Sequence, residues 1–368
     1  MRPDSNVKAM ILAAGAGSRL DPLTQLLPKP LVPIGDKAVM AHVLQLLKRH
    51  NIDQVAANLY HLAETIPPHF SDHNIDFVTE AKLSGDAGGL RACQAFFKDG
   101  TFVVLMGDIV TDVDLTQLIA EHRKSGAIAS IALQEVSNVE QFGIVELDQA
   151  GFIRAFREKP KACETNSRLA SIGIYVFEPE IFEHIPLSGD YMFGKQLFPR
   201  LLELGLPIKG VSLSGYWSDI GTIDSYKSTT FDALDGLVNI DFAGQVQNGV
   251  SGTVLLGKNV TIGPNVELIG HVVIGDNCVI ESGACLIDSI LWSDSRVGSD
   301  SYLYECILTT GSDVPADCVL ERQETLPNKA VQKVAAPQLA LAVPSNLTSI
   351  DILKARYRAK SKVKSVAG

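Results

Sequence analysis

Residues 7–19 read Val7-Lys8-Ala9-Met10-Ile11-Leu12-Ala13-Ala14-Gly15-Ala16-Gly17-Ser18-Arg19. An apolar run of strand length passes directly into small residues and then a cation. The run from Val7 to Leu12 reads as a buried strand. The small residues after it let backbone N–H groups approach a phosphate or a base. This is not a Walker A loop, because no Gly-Lys-Ser/Thr follows, nor a Rossmann fingerprint, because the third glycine is missing. Taken alone, a tight strand-to-helix turn explains Gly15-Ala16-Gly17 equally well.

Outward from this strand, apolar strands alternate with helical stripes up to about residue 235. A second buried strand spans Phe102 to Met106. Val39, Val43, Leu46 and Leu47 recur at helical spacing before it, and Leu115, Leu118, Ile119 and His122 after it. Further strands are expected near residues 128–133, 144–147, 173–177 and 208–213. Helical stripes recur at Leu197, Leu201, Leu204 and at Ile223, Tyr226, Thr230. This alternation predicts an α/β domain with a mostly parallel sheet covered on both faces. Ligands of such sheets bind beyond the carboxyl ends of the strands.

Near Gly236 the helical period disappears. An aliphatic residue returns about every six positions: Leu256, Ile262, Ile269, Ile274, Ile280, Leu286, Leu291, Val297, Leu303, Leu308. A period this short predicts a parallel β-helix of hexapeptide repeats, each flat side contributing one inward aliphatic residue. Asn259, Asn265 and Asn277 suit corners with positive φ. A row of antiparallel strands is the plainer alternative. From Glu321 the repeat is lost, and residues 350–368 carry six basic residues against one acidic residue. A basic tail of this kind suits an acidic partner or the acidic body of the chain itself.

Length and composition agree with two or three packed domains: 368 residues, 46% hydrophobic and 20% charged. A net charge of −10 argues against a nucleic-acid partner. No run of 18 apolar residues offers a membrane span, and the polar N-terminus lacks a secretory signal. The six cysteines form no Cys-x-x-Cys pair, so they are expected as reduced thiols in a cytoplasmic protein.

The glycine loop gains meaning from the residues downstream of it. Arg19 leads through Leu20-Asp21-Pro22-Leu23-Thr24 to Pro28-Lys29-Pro30-Leu31. An arginine fork and a lysine point charge on one glycine loop suit a triphosphate. Gly107-Asp108 ends an apolar strand, and Glu158-Lys159-Pro160 and Gly215-Tyr216-Trp217-Ser218-Asp219-Ile220-Gly221-Thr222 come later in the chain. Glu80 precedes Gly85-Asp86-Ala87-Gly88-Gly89, and Phe142-Gly143 forms an aromatic–glycine pair. In this order and spacing the run resembles the sugar-1-phosphate nucleotidylyltransferase family, nearest the mannose-1-phosphate guanylyltransferase type.

That resemblance implies a Rossmann-like nucleotidyltransferase domain over residues 1–235 and a left-handed parallel β-helix over 236–322. A C-terminal extension occupies 323–368. It implies Mg²⁺-dependent transfer of a nucleotidyl group from an NTP to a sugar 1-phosphate, with GTP and mannose 1-phosphate the first expectation. UTP, dTTP or ATP with glucose 1-phosphate is the alternative. Arg19, Lys29, Asp108 and Asp219 are the implied catalytic residues, with Asp108 and Asp219 holding the metal. Leu12, Ala13, Ala14, Gly15, Gly17, Glu80 and Gly85 would border the nucleotide. Gly143, Glu158, Lys159, Ser171 and Gly173 would border the sugar phosphate.

Three positions depart from the family pattern: Asp86 stands for a usual Thr, Ser171 for Asn, and Asp21 for a basic or neutral residue. They leave room for a non-catalytic, nucleotide-sugar-sensing subunit. Acyl transfer in the β-helix is a further rival, but His271 is the only histidine there. Exposed β-helix ends favour a homo-oligomer. His69 and His73 are not expected to pair on a helix because Pro67 and Pro68 precede them, and Cys278 and Cys285 are expected to pack in the core.

Overall fold

The computed structural model describes residues 7–327; the basic residues of 350–368 lie outside the described residues. The chain divides into two compact units. The first comprises residues 7–32, Ala38–Tyr226 and Val238–Ile240. The second comprises Pro33–Lys37, Lys227–Leu237 and residues 241–327. The division falls inside the helix Ile223–Leu234, between Tyr226 and Lys227.

The first unit is built on a nine-stranded sheet. Its strands are β1 (Lys8–Leu12), β2 (Val55–Leu59), β3 (Ile75–Thr79), β4 (Phe102–Met106) and β5 (Ala129–Glu135). They continue with β6 (Gly143–Leu147), β7 (Ile153–Glu158), β8 (Leu169–Phe177) and β9 (Ile208–Ser212). The order is β7-β6-β8-β4-β1-β2-β3, with β5 pairing β8 and β9. β1 lies parallel between β4 and β2, and β3 is parallel to β2. β8, however, runs antiparallel to β4, β5 and β6. Seven of the nine strands thus run in one direction and β7 and β8 against them, so the sheet is mostly parallel, as expected, with two reversed strands. The cause is local. β6 and β7 are joined by a short turn in which the Asp148 Oδ1 accepts from the Ala150 and Phe152 amides at 2.9 and 2.8 Å. A loop that short permits only antiparallel pairing.

Successive residues of β1 serve opposite cores. Ala9 and Ile11 pack with Met40, Val43, Leu44 and Leu47 of the helix Val39–Arg49. Met10 and Leu12 pack with an aromatic cluster that includes Phe97, Phe102, Phe177, Phe193 and Phe198. Burial on both faces explains why β1 is apolar from Ala9 to Leu12. Each fully buried phenylalanine contributes about 1.5–3 kcal/mol of transfer free energy. Pro67 and Pro68 do not prevent a helix: Ile66–His69 forms a single turn with proline in its first positions, where no N–H is needed. It ends before His73.

In the second unit the repeat region pairs in parallel. Leu256, Ile262 and Leu268 lie beside Ile274, Ile280 and Leu286, each 18 residues on. Leu291, Val297 and Leu303 then follow 17 residues after Ile274, Ile280 and Leu286. Val314, Leu320 and Thr325 continue the register. Antiparallel pairing in the repeat region is confined, among the described residues, to Gln245–Gly249 with Gly252–Leu256. Ile274, Ile280, Leu286, Leu291, Val297, Leu303 and Leu308 share one core with Cys278, Cys306 and Cys318. Two expected inward residues differ. Ile262 is 40% exposed because its strand ends the ladder and has a neighbour on one side only. Ile269 joins a separate cluster with Cys285, Ile287 and Tyr302. Asn259, Asn265 and Asn277 adopt φ of 55°, 59° and 59°, as corners require.

Candidate active site

Three neighbouring parallel strands end together, because Leu12 is the register partner of both Asn58 and Met106. The loops leaving β1 and β4 therefore open at the same sheet edge. A cleft of about 230 Å³ lies there. Its lining includes Leu12, Ala13, Ala14, Gly15, Lys29, Asn58, Gly85, Asp86, Asp108 and Met192. This is the place where open α/β sheets bind ligands.

Lys29 reaches the cleft from a short 3₁₀ turn, Lys29–Leu31, bracketed by Pro28 and Pro30. Gly17 sits in the left-handed region (φ 67°), and a Cβ there would come within 3.1 Å of the Lys29 Cβ. The loop glycine thus lets two segments meet. The buried Lys29 Nζ donates to Asp108 Oδ2. Asp219 arrives on a two-stranded ribbon in which Trp217–Asp219 pairs with Ile109–Thr111, Asp219 opposite Ile109. The Ile220 amide donates to the Asp108 carbonyl at 3.1 Å. Burial, and then the charge of Asp108, push the Asp219 carboxyl above its ordinary range. The cations Lys29 and Arg19 oppose that shift without cancelling it. Asp108, Asp219, Lys29 and Arg19 thus form one electrostatic group at the mouth of the loop.

A second wall is polar and fully bonded. Asn58 Oδ1 accepts from the Ala13 amide at 3.1 Å, and its Nδ2 donates to Glu80 Oε1 at 2.7 Å. Ser84 Oγ donates to Glu80 Oε2. Both Glu80 oxygens are engaged internally, and Glu80 does not line the cleft. Its part is to hold Asn58, which does. Asn58 was not among the residues expected from sequence; an amide inside the apolar run Val55–Leu59 was the available signal.

Glu158 and Lys159 stand on the exposed end of β7. Gly143 and Gly194 crowd Glu158: a Cβ on Gly143 would lie 3.2 Å from Glu158 Oε2, and one on Gly194 would clash with it. The Lys159 amide donates to the Phe142 carbonyl at 3.0 Å, with Lys159 at φ 48°. The Phe142 ring packs on Trp217 at 5.2 Å. Gly173 (φ 74°) lies where the β8–β5 register shifts. The Ser171 Oγ donates to the Tyr175 hydroxyl at 3.3 Å and is buried. Ser171, Gly173, Gly143, Glu158 and Lys159 do not line this cleft, and Ser171 has turned its hydroxyl to Tyr175.

In the second unit, His271 Nε2 lies 2.8 Å from Asp235 Oδ1, and its ring stacks on Phe231 at 5.0 Å. Both contacts fix it as a packing residue. Cys278 and Cys285 are buried, and all six cysteines are free thiols.

No group of three or more potential metal ligands occurs among the described residues. Asp108 and Asp219 fit Mg²⁺ in another way. Mg²⁺ binds through one or two carboxylates and completes its shell with water and phosphate oxygens. Besides burial, the charge of Asp108 raises the Asp219 carboxyl, and a dication would relieve that repulsion.

A family model described as Nucleotidyl transferase matches residues 8–235, and one described as GMPPB C-terminal domain matches 250–338. The chain is 36% identical over 350 residues to a UTP–glucose-1-phosphate uridylyltransferase of Synechocystis, covering 84% of this chain and 90% of the relative. It is 28% identical over 297 residues to a mannose-1-phosphate guanylyltransferase of Mycobacterium tuberculosis, covering 79% and 81%. A Bacillus anthracis crystal structure assigned as a glucose-1-phosphate thymidylyltransferase superimposes with a TM-score of 0.57 at 26% identity. That alignment covers 65% of this chain and 98% of the other.

Proposed function

The chain belongs to the nucleotidyl transferase family and is a sugar-1-phosphate nucleotidyltransferase; from that premise we propose that it joins UTP to glucose 1-phosphate, releasing pyrophosphate. The 36% identity to a uridylyltransferase over most of both chains supports this pair. GTP with mannose 1-phosphate is the second reading, supported by the match of residues 250–338 to the GMPPB C-terminal model. The observation that carries the chemistry is the convergence of Lys29, Asp108, Asp219 and Arg19 at the glycine loop.

An oxygen of the sugar phosphate attacks the α-phosphorus in line. The new P–O bond forms as the bond to the β-phosphate oxygen breaks, and pyrophosphate leaves with the electron pair. No protein nucleophile is required. The obstacle is repulsion between two anions, about 4 kcal/mol for one pair of unit charges at 4 Å and an effective dielectric of 20. Positioning and charge compensation therefore supply most of the catalysis. Lys29, oriented by Asp108, faces the phosphates; Arg19 compensates the leaving pyrophosphate. Lys159 binds the sugar phosphate and Glu158 a sugar hydroxyl. The loop amides from Leu12 to Gly17, with Gly85, border the nucleotide, and Glu80 acts through Asn58. Asp108 and Asp219 would hold Mg²⁺, which would supply further neutralisation of phosphate charge.

The stacked parallel ladders support reading residues 245–327 as coils of a left-handed β-helix, and its ends support self-association into a homo-oligomer. The free thiols suit the cytoplasm. Pyrophosphate release from four NTPs against several sugar 1-phosphates tests the reading. Turnover is expected with UTP and glucose 1-phosphate. Turnover with GTP and mannose 1-phosphate instead selects the second reading. No release from any pair leaves a nucleotide-sugar-sensing subunit.

A further inference from the structure

We infer that Asp86 is a specificity residue facing the sugar: with Glu158 it forms an acceptor pair that selects a neutral, hydroxyl-bearing hexose and repels a sugar carrying its own carboxylate. The inference rests on the sugar-1-phosphate reading above and goes beyond it by naming a side chain and a class of excluded substrate.

Asp86 borders the same cleft as Lys29 and Asp108. It stands in the first turn of the helix Gly85–Ala92. Its Oδ1 accepts from two amides, Ala87 at 2.7 Å and Phe193 at 2.5 Å. Both bonds end on Oδ1 and fix the orientation of the carboxylate. Phe193 lies between Met192, which lines the cleft, and Gly194, which abuts Glu158 Oε2. Asp86 is thereby tied to the segment that seats Glu158. The charge of Glu158 acts on Asp86, and both act on the Tyr175 hydroxyl. Burial, with Glu158 adding to it, pushes the Asp86 carboxyl up to about 6 against the pull of its backbone donors. No ion pair to Asp86 or Glu158 occurs among the described residues.

Two neighbouring carboxylates without a cation want donors. A sugar hydroxyl satisfies them at little cost, whereas a third carboxylate adds repulsion in a partly desolvated site. A site built to bond a hydroxyl also rejects the analogue that lacks it, because its polar atom is left unpaired. The tie to Phe193 and the coupling to Glu158 place Asp86 with the sugar.

The test uses the full-length chain and pyrophosphate release. The unaltered enzyme is first assayed with hexose 1-phosphates; no turnover from any pair would refute the functional reading itself, independently of Asp86. The second measurement compares hexose with hexuronic acid 1-phosphate on the unaltered enzyme. Discrimination of about a hundredfold or more in kcat/KM is expected, and equal use of both would overturn the inference without any variant. The third uses Asp86→Asn, which keeps an oxygen for the Ala87 and Phe193 amides, and Asp86→Thr as a second variant. Each should raise KM for the hexose 1-phosphate about tenfold while changing KM for the NTP less than about twofold. The hexuronate gap should narrow by about tenfold in Asp86→Asn. A series of monodeoxy hexose 1-phosphates should contain one analogue with which the unaltered and Asp86→Asn enzymes perform alike. A change confined to KM for the NTP assigns Asp86 to the ribose and overturns the inference. An equal loss with every deoxy analogue makes it merely structural.

Discussion

Lys29 and Arg296 are both cations with two carboxylates nearby, yet their surroundings are opposite. Lys29 is 7% exposed, bonded to Asp108 and felt by Asp219 at the bottom of a cleft. Arg296 bridges Glu281 and Asp313 at 2.6 and 2.9 Å on a solvent-facing ladder, with about half its side chain exposed. The interior beneath Arg296 is aliphatic and thiol. A buried ion pair is poor evidence for stability, since apolar residues of like volume often do as well. Its occurrence at one sheet edge is better explained by chemistry that needs compensated charge out of water. The repeat region keeps its charges where hydration is retained and takes its stability from apolar packing.

The largest break in this contrast should come from Asp108→Asn. Turnover should fall by about a thousandfold or more, since oriented charge of this kind is worth at least that in comparable sites. Chelation of divalent metal should have the same effect on the unaltered enzyme. Pyrophosphate release measures both, with circular dichroism confirming that the variant is folded. Residual activity within tenfold of the unaltered enzyme would remove Asp108 from the chemistry.

Next in size is Leu303→Ala. Leu303 is fully buried between its register partners Leu286 and Leu320. The variant should lose about 2–5 kcal/mol, the range for leucine truncation in packed cores. Differential scanning calorimetry should show the loss in one unit, because two units need not melt together. At a temperature where both are folded, kcat/KM should be unchanged within about twofold. A tenfold fall under those conditions would mean that the stack takes part in catalysis.

Legibility followed the same divide. Periodicity exposed β1, β4 and the helix Val39–Arg49 because one or both faces are buried and the pattern is unbroken. It missed the helix Gly85–Ala92, whose glycines at 85, 88 and 89 erase any apolar stripe; Gly89 is needed because a Cβ there would strike Asn58. It missed β3, which is only partly buried and therefore carries no strong alternation. The six-residue repeat was legible over most of the stack; it failed at Ile262, where one side of the strand is open, and at Ile269, where the neighbouring Leu268 takes the inward place. At the site, charged residues in short motifs were visible one by one. That Lys29 would donate to Asp108, or Ser171 turn to Tyr175, depends on segments far apart in the chain and is not written in either motif.

The first unit also buries polar groups that do no chemistry, and these sharpen the contrast through pH. His122 lies with Nδ1 2.8 Å from Ser130 Oγ and Nε2 3.0 Å from Glu178 Oε1. Ser130 and His122 are buried, and none of the three lines the cleft. Burial lowers the His122 pKa below 6.5, against the opposing pull of Glu178. Below 6.5 the unfolded chain therefore binds more protons than the native one, and stability from this site is lost as pH falls from 6.5 through the lowered value. Thermal melting between pH 7.5 and 5 should show the first unit weakening. His122→Asn should flatten that dependence. An unchanged acid slope in the variant would assign the weakening to other groups.

The smallest effect should come from Arg296→Ala. Glu281 does not rely on Arg296 alone: its Oε2 accepts from the Ser299 amide at 3.0 Å and the Ser299 hydroxyl at 2.9 Å. Those hydroxyl and arginine bonds together hold its carboxyl below the ordinary range, the Ser299 hydroxyl contributing most. Without Arg296, Glu281 keeps both serine donors and Asp313, largely exposed, is rehydrated. Exposed ion pairs contribute little for this reason. Melting of the second unit should move hardly at all, and pyrophosphate release should stay within about twofold. Lys29→Ala, by contrast, leaves Asp108 and Asp219 facing each other with one cation fewer, in a place that water reaches poorly. A large loss of stability or activity from Arg296→Ala would show that the ladder charges are structural in the way the cleft charges are chemical, and the contrast between the units would fail.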